Sequence, residues 1–72
     1  MKKIKKIKIK INGKKKSIDN DSYLLELINE LKIPITKVAI EFNREIVDKK
    51  KIKKIKLRNN DVIEIVHFIG GG

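Results

Sequence analysis

The sequence predicts an α+β fold in which a mixed sheet of four to five strands is covered on one face by a single helix. Three observations lead to this prediction: an opening pair of alternating strands, one amphipathic helix after it, and several short apolar strands in the second half. One helix must then bury the apolar face of the sheet. The chain has 72 residues, which predicts a single domain over 1–72.

The first predicted element is a β-hairpin. Residues 6–11 read Lys-Ile-Lys-Ile-Lys-Ile, and this period of two places the Ile side chains inward and the Lys side chains outward. Asn12-Gly13 follows, and both residues accept the positive φ of a type I′ turn. Residues 14–18 are therefore expected to return as the second strand.

The helix is predicted from a turn cluster and an apolar stripe. In the cluster 19–22, Asp21 or Ser22 is expected to cap the helix N-terminus. The stripe consists of Leu24, Leu27, Ile28 and Leu31, spaced i, i+3, i+4 and i+7. The helix is expected to end near Lys32, because Pro34 prevents its continuation.

The second half of the chain predicts the remaining strands. Residues 38–42 alternate as a third strand, and 45–47 pair back after a turn as a short fourth strand. Residues 48–57 are Lys-rich and are interpreted as an irregular connection. Residues 62–68 form the last strand, which is apolar on both faces apart from Glu64 and His67, and so suits a central position beside the first strand. This order is typical of a β-grasp.

The composition excludes several kinds of protein. The net charge of +10 is compatible with a nucleic-acid-binding protein. However, the chain has only two Phe and one Tyr, and its aromatic residues do not alternate with basic ones as they do where bases stack on a protein. We interpret the Lys residues as a solvated face, with a Lys-rich nucleic-acid-binding domain as the alternative. The absence of Cys excludes disulfides and thiolate sites. The single histidine, His67, cannot build a metal site alone, so no metal and no cofactor are expected.

The apolar residues bear on compartment. No apolar run approaches the roughly 18 residues that a membrane-spanning helix needs. The basic N-terminus interleaves Lys with Ile, which is unlike the continuous apolar region of a signal peptide. We therefore expect no membrane association and a cytoplasmic location.

The C-terminal residues carry the functional hypothesis. Residues 69–72, called the tail below, are expected to be flexible, and they end in Gly70, Gly71 and Gly72. Glycine has no Cβ, so the backbone and the terminal carboxylate can approach a nucleotide phosphate in a narrow channel. The sequence therefore predicts that the three glycines thread into a partner enzyme and that the Gly72 carboxyl group is the site of modification.

Side-chain alternation predicts a docking patch at the root of this tail. If Ile63 and Ile65 face the helix, the even-numbered residues of the last strand face the other way. The predicted docking patch consists of Ala39, Val66 and Phe68. Clustered exposed apolar residues indicate an interaction surface.

Two stretches carry a resemblance to a known family. Residues 38–47, VAIEFNREIV, and 61–72, DVIEIVHFIGGG, resemble the ThiS family of sulfur carriers, and the resemblance extends over essentially the whole chain. It implies a ubiquitin-like fold and a carrier that is not itself an enzyme and has no catalytic residue. The family commonly has Gly after the Asn of the third-strand turn, whereas Arg44 stands there in this chain, which leaves the turn type open.

The resemblance also implies a reaction sequence. A ThiF-like adenylating enzyme would use ATP to activate the Gly72 carboxylate, and sulfur supplied through a cysteine desulfurase would convert it to a thiocarboxylate. A ThiG-like thiazole synthase would then use that sulfur in thiamine biosynthesis. A carrier for molybdopterin synthesis or another thiolation pathway is the alternative, although that branch usually has prolines before its glycines.

Overall fold

The structure, a computed structural model, describes residues 5–68; residues 1–4 and 69–72 lie outside the described residues. The strands are β1 Lys6–Ile11, β2 Lys14–Asp19, β3 Val38–Phe42, β4 Glu45–Ile46 and β5 Val62–His67, and the helix is α1 Leu24–Glu30. Single turns of 3₁₀ helix occur at Ile35–Lys37 and Ile52–Lys54.

The strands form one mixed sheet in the order β2-β1-β5-β3-β4. The last strand, β5, lies in the centre, parallel to β1 and antiparallel to β3. This arrangement confirms the predicted mixed sheet of four to five strands, with the last strand beside the first, and the number of strands is five.

Both hairpins close through two-residue turns with positive φ. Asn12 and Gly13 have φ of 50° and 82°, as the type I′ prediction requires. Asn43 and Arg44 have φ of 51° and 72°. The second turn is therefore also of type I′, and Arg44 adopts a backbone conformation that favours glycine.

The N-cap of the helix lies one residue after Ser22 and two residues after Asp21, the two predicted caps. Tyr23 is the N-cap residue, and its N–H donates to Glu26 Oε1 at 2.8 Å. Ser22 instead donates its hydroxyl to the Asp19 carbonyl at 2.7 Å. The prediction of Asp21 or Ser22 as the cap is wrong, because Tyr23 is extended and forms an isolated bridge with Lys56, which delays the first helical residue.

The helix end also differs from the predicted apolar stripe. Leu24, Leu27 and Ile28 are buried, but Leu31 is 36% exposed. Lys32 has φ of 58°, its N–H donates to the Asn29 carbonyl, and the Ile33 N–H donates to the Ile28 carbonyl. These are the bonds of a Schellman motif, which turns the chain so that Ile33, and not Leu31, packs against the core.

The core lies between the helix and one face of the sheet. Its buried apolar residues are Ile9, Ile18, Leu24, Leu27, Ile28, Val38, Ile40, Ile52, Leu57, Ile63 and Ile65. Ile52 and Leu57 come from the connection 48–57, which thus closes one side of the core. The opposite face of the sheet has no helix over it among residues 5–68.

Candidate partner interface at the root of the C-terminal tail

The three glycines predicted to thread into a partner lie outside the described residues. The described part of the chain ends at Phe68, one residue after β5. The described part of the site is the strand that leads into the tail, together with the residues around that strand. Its main features are the bonds that hold β5, the exposed face of β5 and the charges on that face.

Two turn residues hold the backbone of β5 with their side chains. Asn43 Oδ1 accepts a hydrogen bond from the Val62 N–H at 2.8 Å, at the start of β5. Asn12 Oδ1 accepts from the Ile65 N–H at 2.7 Å, in its middle. Each Asn occupies the first position of a type I′ turn. Since the turns lie on opposite sides of β5, the strand is held laterally from both β1 and β3.

Asp61 connects this arrangement to the loop before β5. Its Oδ1 accepts from Asn43 Nδ2 at 3.0 Å and its Oδ2 accepts from the Arg58 N–H at 2.7 Å. Asp61 is 9% exposed, so both carboxylate oxygens are satisfied in a largely buried position. Asn59 adds a bond from the Lys8 N–H to its Oδ1 at 2.8 Å. The start of the strand is thereby fixed.

The predicted docking patch lies on one face. Ala39 pairs directly with Val66 across β3 and β5, which places their side chains on the same side of the sheet. Val66 is 56% exposed and Phe68 is 61% exposed, while Ile63 and Ile65 are buried on the opposite face. The predicted alternation of faces is therefore confirmed. Whether a partner binds these residues stays a prediction.

Two residues near this patch were missed by the sequence analysis. Ile46 is 70% exposed and pairs with Glu41 on the uncovered face. Lys49 places its Nζ 5.3 Å from the centroid of the Phe68 ring, a cation–π distance. The sequence could have predicted the exposure of Ile46. In a hairpin with a two-residue turn at Asn43 and Arg44, Ile46 lies opposite Glu41 and therefore on the same face of the sheet. Nothing in the sequence indicated that Lys49 reaches Phe68.

The uncovered face also has an uneven charge distribution. Glu41 and Glu64 lie directly opposite each other on β3 and β5, where like charges destabilise a sheet. Among residues 5–68, the ion pairs are Lys6 with Asp19 and Lys56 with Asp21, and neither involves these two carboxylates. Ile46, Glu41 and Glu64 therefore form one row across the sheet, next to the row of Ala39 and Val66. The Lys side chains of β1 lie farther across the same face.

Within the part of the chain that the structure describes, no three His, Cys, Asp or Glu side chains are grouped so as to hold a metal ion. His67 is exposed at the end of β5 and forms no side-chain hydrogen bond within that part. The region thus combines a rigidly held strand, an exposed apolar cluster and a following Gly-rich tail.

Comparison with known proteins identifies the family. The model of the ThiS family matches residues 9–72, which includes both the β5 region and the three terminal glycines. The chain belongs to the ThiS family. Within this family it is 35% identical over 65 residues to the sulfur carrier protein ThiS of Bacillus subtilis, covering 89% of this chain and 98% of that protein.

Two further comparisons concern the extent and the fold of this ThiS-family chain. It is 38% identical over 66 residues to a thiazole synthase of Paramagnetospirillum magneticum, but the match covers 92% of this chain and only 20% of that protein. The chain thus spans about a fifth of the length of that relative. The crystal structure of the thiamine biosynthesis protein ThiS from Geobacter metallireducens aligns with a TM-score of 0.80 at 26% identity, covering 92% of this chain and 100% of that one.

These comparisons confirm the fold predicted from the order of elements. The ThiS-family chain is a ubiquitin-like β-grasp with one helix on a mixed five-stranded sheet. Within residues 5–68 no helix has both the length and the apolar character that crossing a membrane requires.

Proposed function

We propose that this chain is a sulfur carrier of thiamine biosynthesis whose working atom is the carboxyl carbon of Gly72. The observation that carries the proposal is the family match, because it extends through the tail to Gly72 rather than covering the folded domain alone. The likeness to the Bacillus subtilis carrier over nearly the full length of both proteins supports it. In this role the chain is a co-substrate and supplies no catalytic residue of its own.

The proposed chemistry begins with activation of the tail. A carboxylate is a poor electrophile, so a ThiF-like adenylating enzyme first joins the Gly72 carboxylate to the α-phosphorus of ATP, and pyrophosphate leaves. The resulting acyl adenylate carries AMP as a good leaving group. The terminal sulfur of a persulfide, formed from cysteine by a cysteine desulfurase, attacks the Gly72 carbonyl carbon, displaces AMP and gives an acyl disulfide. A thiol then attacks the inner sulfur of this disulfide, forms a new disulfide with it and releases the C-terminal thiocarboxylate. No thiol of the carrier is needed, in keeping with a sequence that has no Cys.

A ThiG-like thiazole synthase is proposed to accept the sulfur. The support is that two proteins named thiazole synthase contain a segment resembling this chain, at 38% and 36% identity, as about a fifth of their length. A carrier-like segment joined to the remainder of such a protein suggests that the two functions operate together. We place these reactions in the cytoplasm.

The docking patch is proposed to contact the partner enzymes. Ala39, Val66 and Phe68 lie beside the root of the tail, and Ile46 is a further exposed apolar residue on the same face, opposite Glu41. Exposed apolar residues that cluster in this way favour a protein interface over plain solvent exposure. The adjacent pair Glu41 and Glu64 favours a partner that presents a cation at that position.

A loading assay with altered tails tests the proposal. The unaltered chain, a chain lacking Gly72, and a chain with one residue added after Gly72 are each incubated with ATP, the adenylating enzyme and a sulfur donor. Only the unaltered chain is expected to gain sulfur, because the other two displace the carboxyl group from the nucleotide. Circular dichroism of all three controls for folding. Equal loading of the shortened chain would refute the assignment of Gly72.

A further inference from the structure

The backbone groups of even-numbered and odd-numbered residues of β5 face different neighbouring strands. The Asn43 N–H donates to the Val62 carbonyl at 2.8 Å, and the Phe68 N–H donates to the Lys37 carbonyl at 3.0 Å. In antiparallel pairing, the residues between such bonded positions direct their N–H and C=O groups to the other edge. The odd-numbered residues Ile63, Ile65 and His67 therefore direct their backbone groups away from β3 and toward the side of β1.

On that side the pairing stops before β5 does. The register with β1 consists of Lys10 opposite Val62 and Ile11 opposite Ile63. The chain then turns away, and Asn12 makes the last bonds, from its N–H to the Ile63 carbonyl at 2.9 Å and from the Ile65 N–H to its Oδ1. Among residues 5–68, nothing pairs with the Ile65 carbonyl or with the N–H and carbonyl of His67. These three groups are called the open edge.

No strand of residues 5–68 lies opposite the open edge, because the chain turns away from β5 at Asn12–Gly13. His67 itself is exposed. A strand placed about 4.8 Å from β5 would lie in line with β1, on the far side of the Asn12–Gly13 turn. An unpaired strand edge is a template for pairing with another chain.

We propose that an extended backbone segment of the ATP-dependent adenylating enzyme pairs with the open edge and adds a strand beside β5. This inference rests on the proposed function and specifies how the enzyme aligns its substrate. Four residues separate Phe68 from the reacting carboxyl, and fully extended they span at most about 14 Å. The enzyme surface around its nucleotide must therefore come close to the end of β5.

Main-chain pairing suits this task. Bonds to the carbonyl of Ile65 and to both groups of His67 would fix the direction of the strand that continues into the tail. Such strand addition obtains its affinity from backbone groups and places little demand on side chains. The open edge and the docking patch are separate surfaces, because the first consists of backbone at the border with β1 and the second of side chains on the uncovered face.

Proline substitution tests the open edge. His67→Pro removes the unpaired N–H and places a ring at the edge, whereas His67→Ala changes only the side chain. Both variants are expected to fold. His67→Pro is expected to bind the adenylating enzyme at least about tenfold more weakly and to load correspondingly slowly, while His67→Ala behaves like the unaltered chain. Val66→Pro is the internal control, since its N–H faces β3, and it is expected to lower the melting temperature strongly.

Replacing the His67 amide by an ester removes the same donor without a ring, and this variant decides the matter should the proline variant unfold. The open-edge inference alone would be overturned by the following result: the unaltered chain loads sulfur, and the proline or ester variant binds the adenylating enzyme as tightly as His67→Ala does. Failure of the unaltered chain to load would overturn the proposed function as well. The two failures are therefore distinguishable.

Discussion

Asn43 is the residue on which most bonds at the start of β5 converge. Its backbone N–H donates to the Val62 carbonyl, its Oδ1 accepts from the Val62 N–H, and its Nδ2 donates to Asp61. A short amide side chain can do this because Asn tolerates the left-handed backbone of the turn, with φ of 51°. The residue thus joins the second hairpin to the strand that precedes the tail.

Replacing this side chain is expected to destabilise the domain. Asn43→Ala leaves the Val62 N–H and one oxygen of the largely buried Asp61 without their partner, at a cost of about 1–3 kcal/mol in the free energy of unfolding. Urea denaturation measures this change. Asn29→Ala, at an exposed position of α1, is the matched control and is expected to change stability by less than about 0.5 kcal/mol. Equal effects of the two substitutions would contradict the role given to Asn43.

Arg44 illustrates the opposite case, a residue that its turn does not favour. A left-handed backbone costs a residue with a Cβ about 1–2 kcal/mol, and a glycine at position 44 would not have this cost. Glycine also has more conformational freedom in the unfolded chain, which lowers the stability of the glycine variant by about 0.5–1 kcal/mol. Arg44→Gly is therefore expected to raise the free energy of unfolding by up to about 1 kcal/mol. Arg44→Ala keeps the Cβ and should give no such gain. A loss of stability in the glycine variant would show that the Arg side chain makes a stabilising contact.

The sequence predicted the turns better than the bonds their side chains make. Asn12-Gly13 indicates a type I′ turn because both residue types accept positive φ. The bond from Ile65 to Asn12 joins residues 53 positions apart, and only the assembled sheet brings them together. In the same way, the bond from Asn43 Nδ2 to Asp61 joins the second hairpin to the loop before β5, and only the folded chain brings these residues together.

At the scale of elements, the helix shows how a local end alters a predicted face. The spacing of the apolar stripe placed Leu31 in the core, and it would lie there if α1 continued. The Schellman motif at Lys32 instead ends the helix and brings Ile33 to the core. The end of a helix depends on backbone hydrogen bonds, which the spacing of apolar residues does not indicate. The spacing therefore predicted burial correctly for Leu24, Leu27 and Ile28 but not for Leu31.

This difference along the helix gives a paired stability test. Leu27 is 3% exposed, and Leu27→Ala is expected to cost roughly 2–5 kcal/mol, a large share of the stability of a domain this small. Leu31→Ala removes the same atoms from a 36% exposed position and is expected to cost well under half as much. Thermal or chemical unfolding measures both. Comparable losses would mean that Leu31 packs as the stripe predicted.

The sheet was predicted more completely than the helix. The alternation in 6–11 predicted the first strand, and the apolarity of 62–68 on both faces predicted a central place for the last strand. In the structure β5 is central, but Glu64 and Val66 on its uncovered face are exposed. The bridge between Tyr23 and Lys56, which sets where α1 begins, joins a helix start to the irregular connection 48–57. No periodic pattern exists in that connection, so the sequence could not reveal it.

At the scale of the whole molecule, the two faces of the sheet have different roles. One face is closed by α1 and the connection 48–57, and the other exposes Ile46, Val66 and Phe68 beside two carboxylates. A domain with a net charge of +10 that keeps acidic and apolar groups together on one face is suited to a partner with a complementary surface. The Lys residues of β1 lie at the other side of that face, where they contribute to long-range attraction.

This division of faces predicts which substitutions affect partner binding. Phe68→Ala and Val66→Asp are expected to weaken binding to the adenylating enzyme about tenfold or more, because a few apolar side chains contribute most of the binding energy of an interface. Both substitutions are expected to change the melting temperature little. Leu31→Ala, an exposed apolar truncation on the helix side, is the matched control and should leave the dissociation constant unchanged. Weaker binding in the Leu31 variant alone would place the docking surface on the helix side.

The central claim concerns the chemical state of one carbon atom, and intact-mass analysis tests it most directly. The unaltered chain is incubated with the adenylating enzyme and a sulfur donor, with and without ATP, and the product is fragmented to locate any change. The account predicts that one oxygen of the Gly72 carboxylate is replaced by sulfur when ATP is present and not when ATP is left out. It also predicts that the original mass returns when thiazole synthase consumes the sulfur. A sulfur adduct that forms without ATP, or that maps to any residue other than Gly72, would contradict the account.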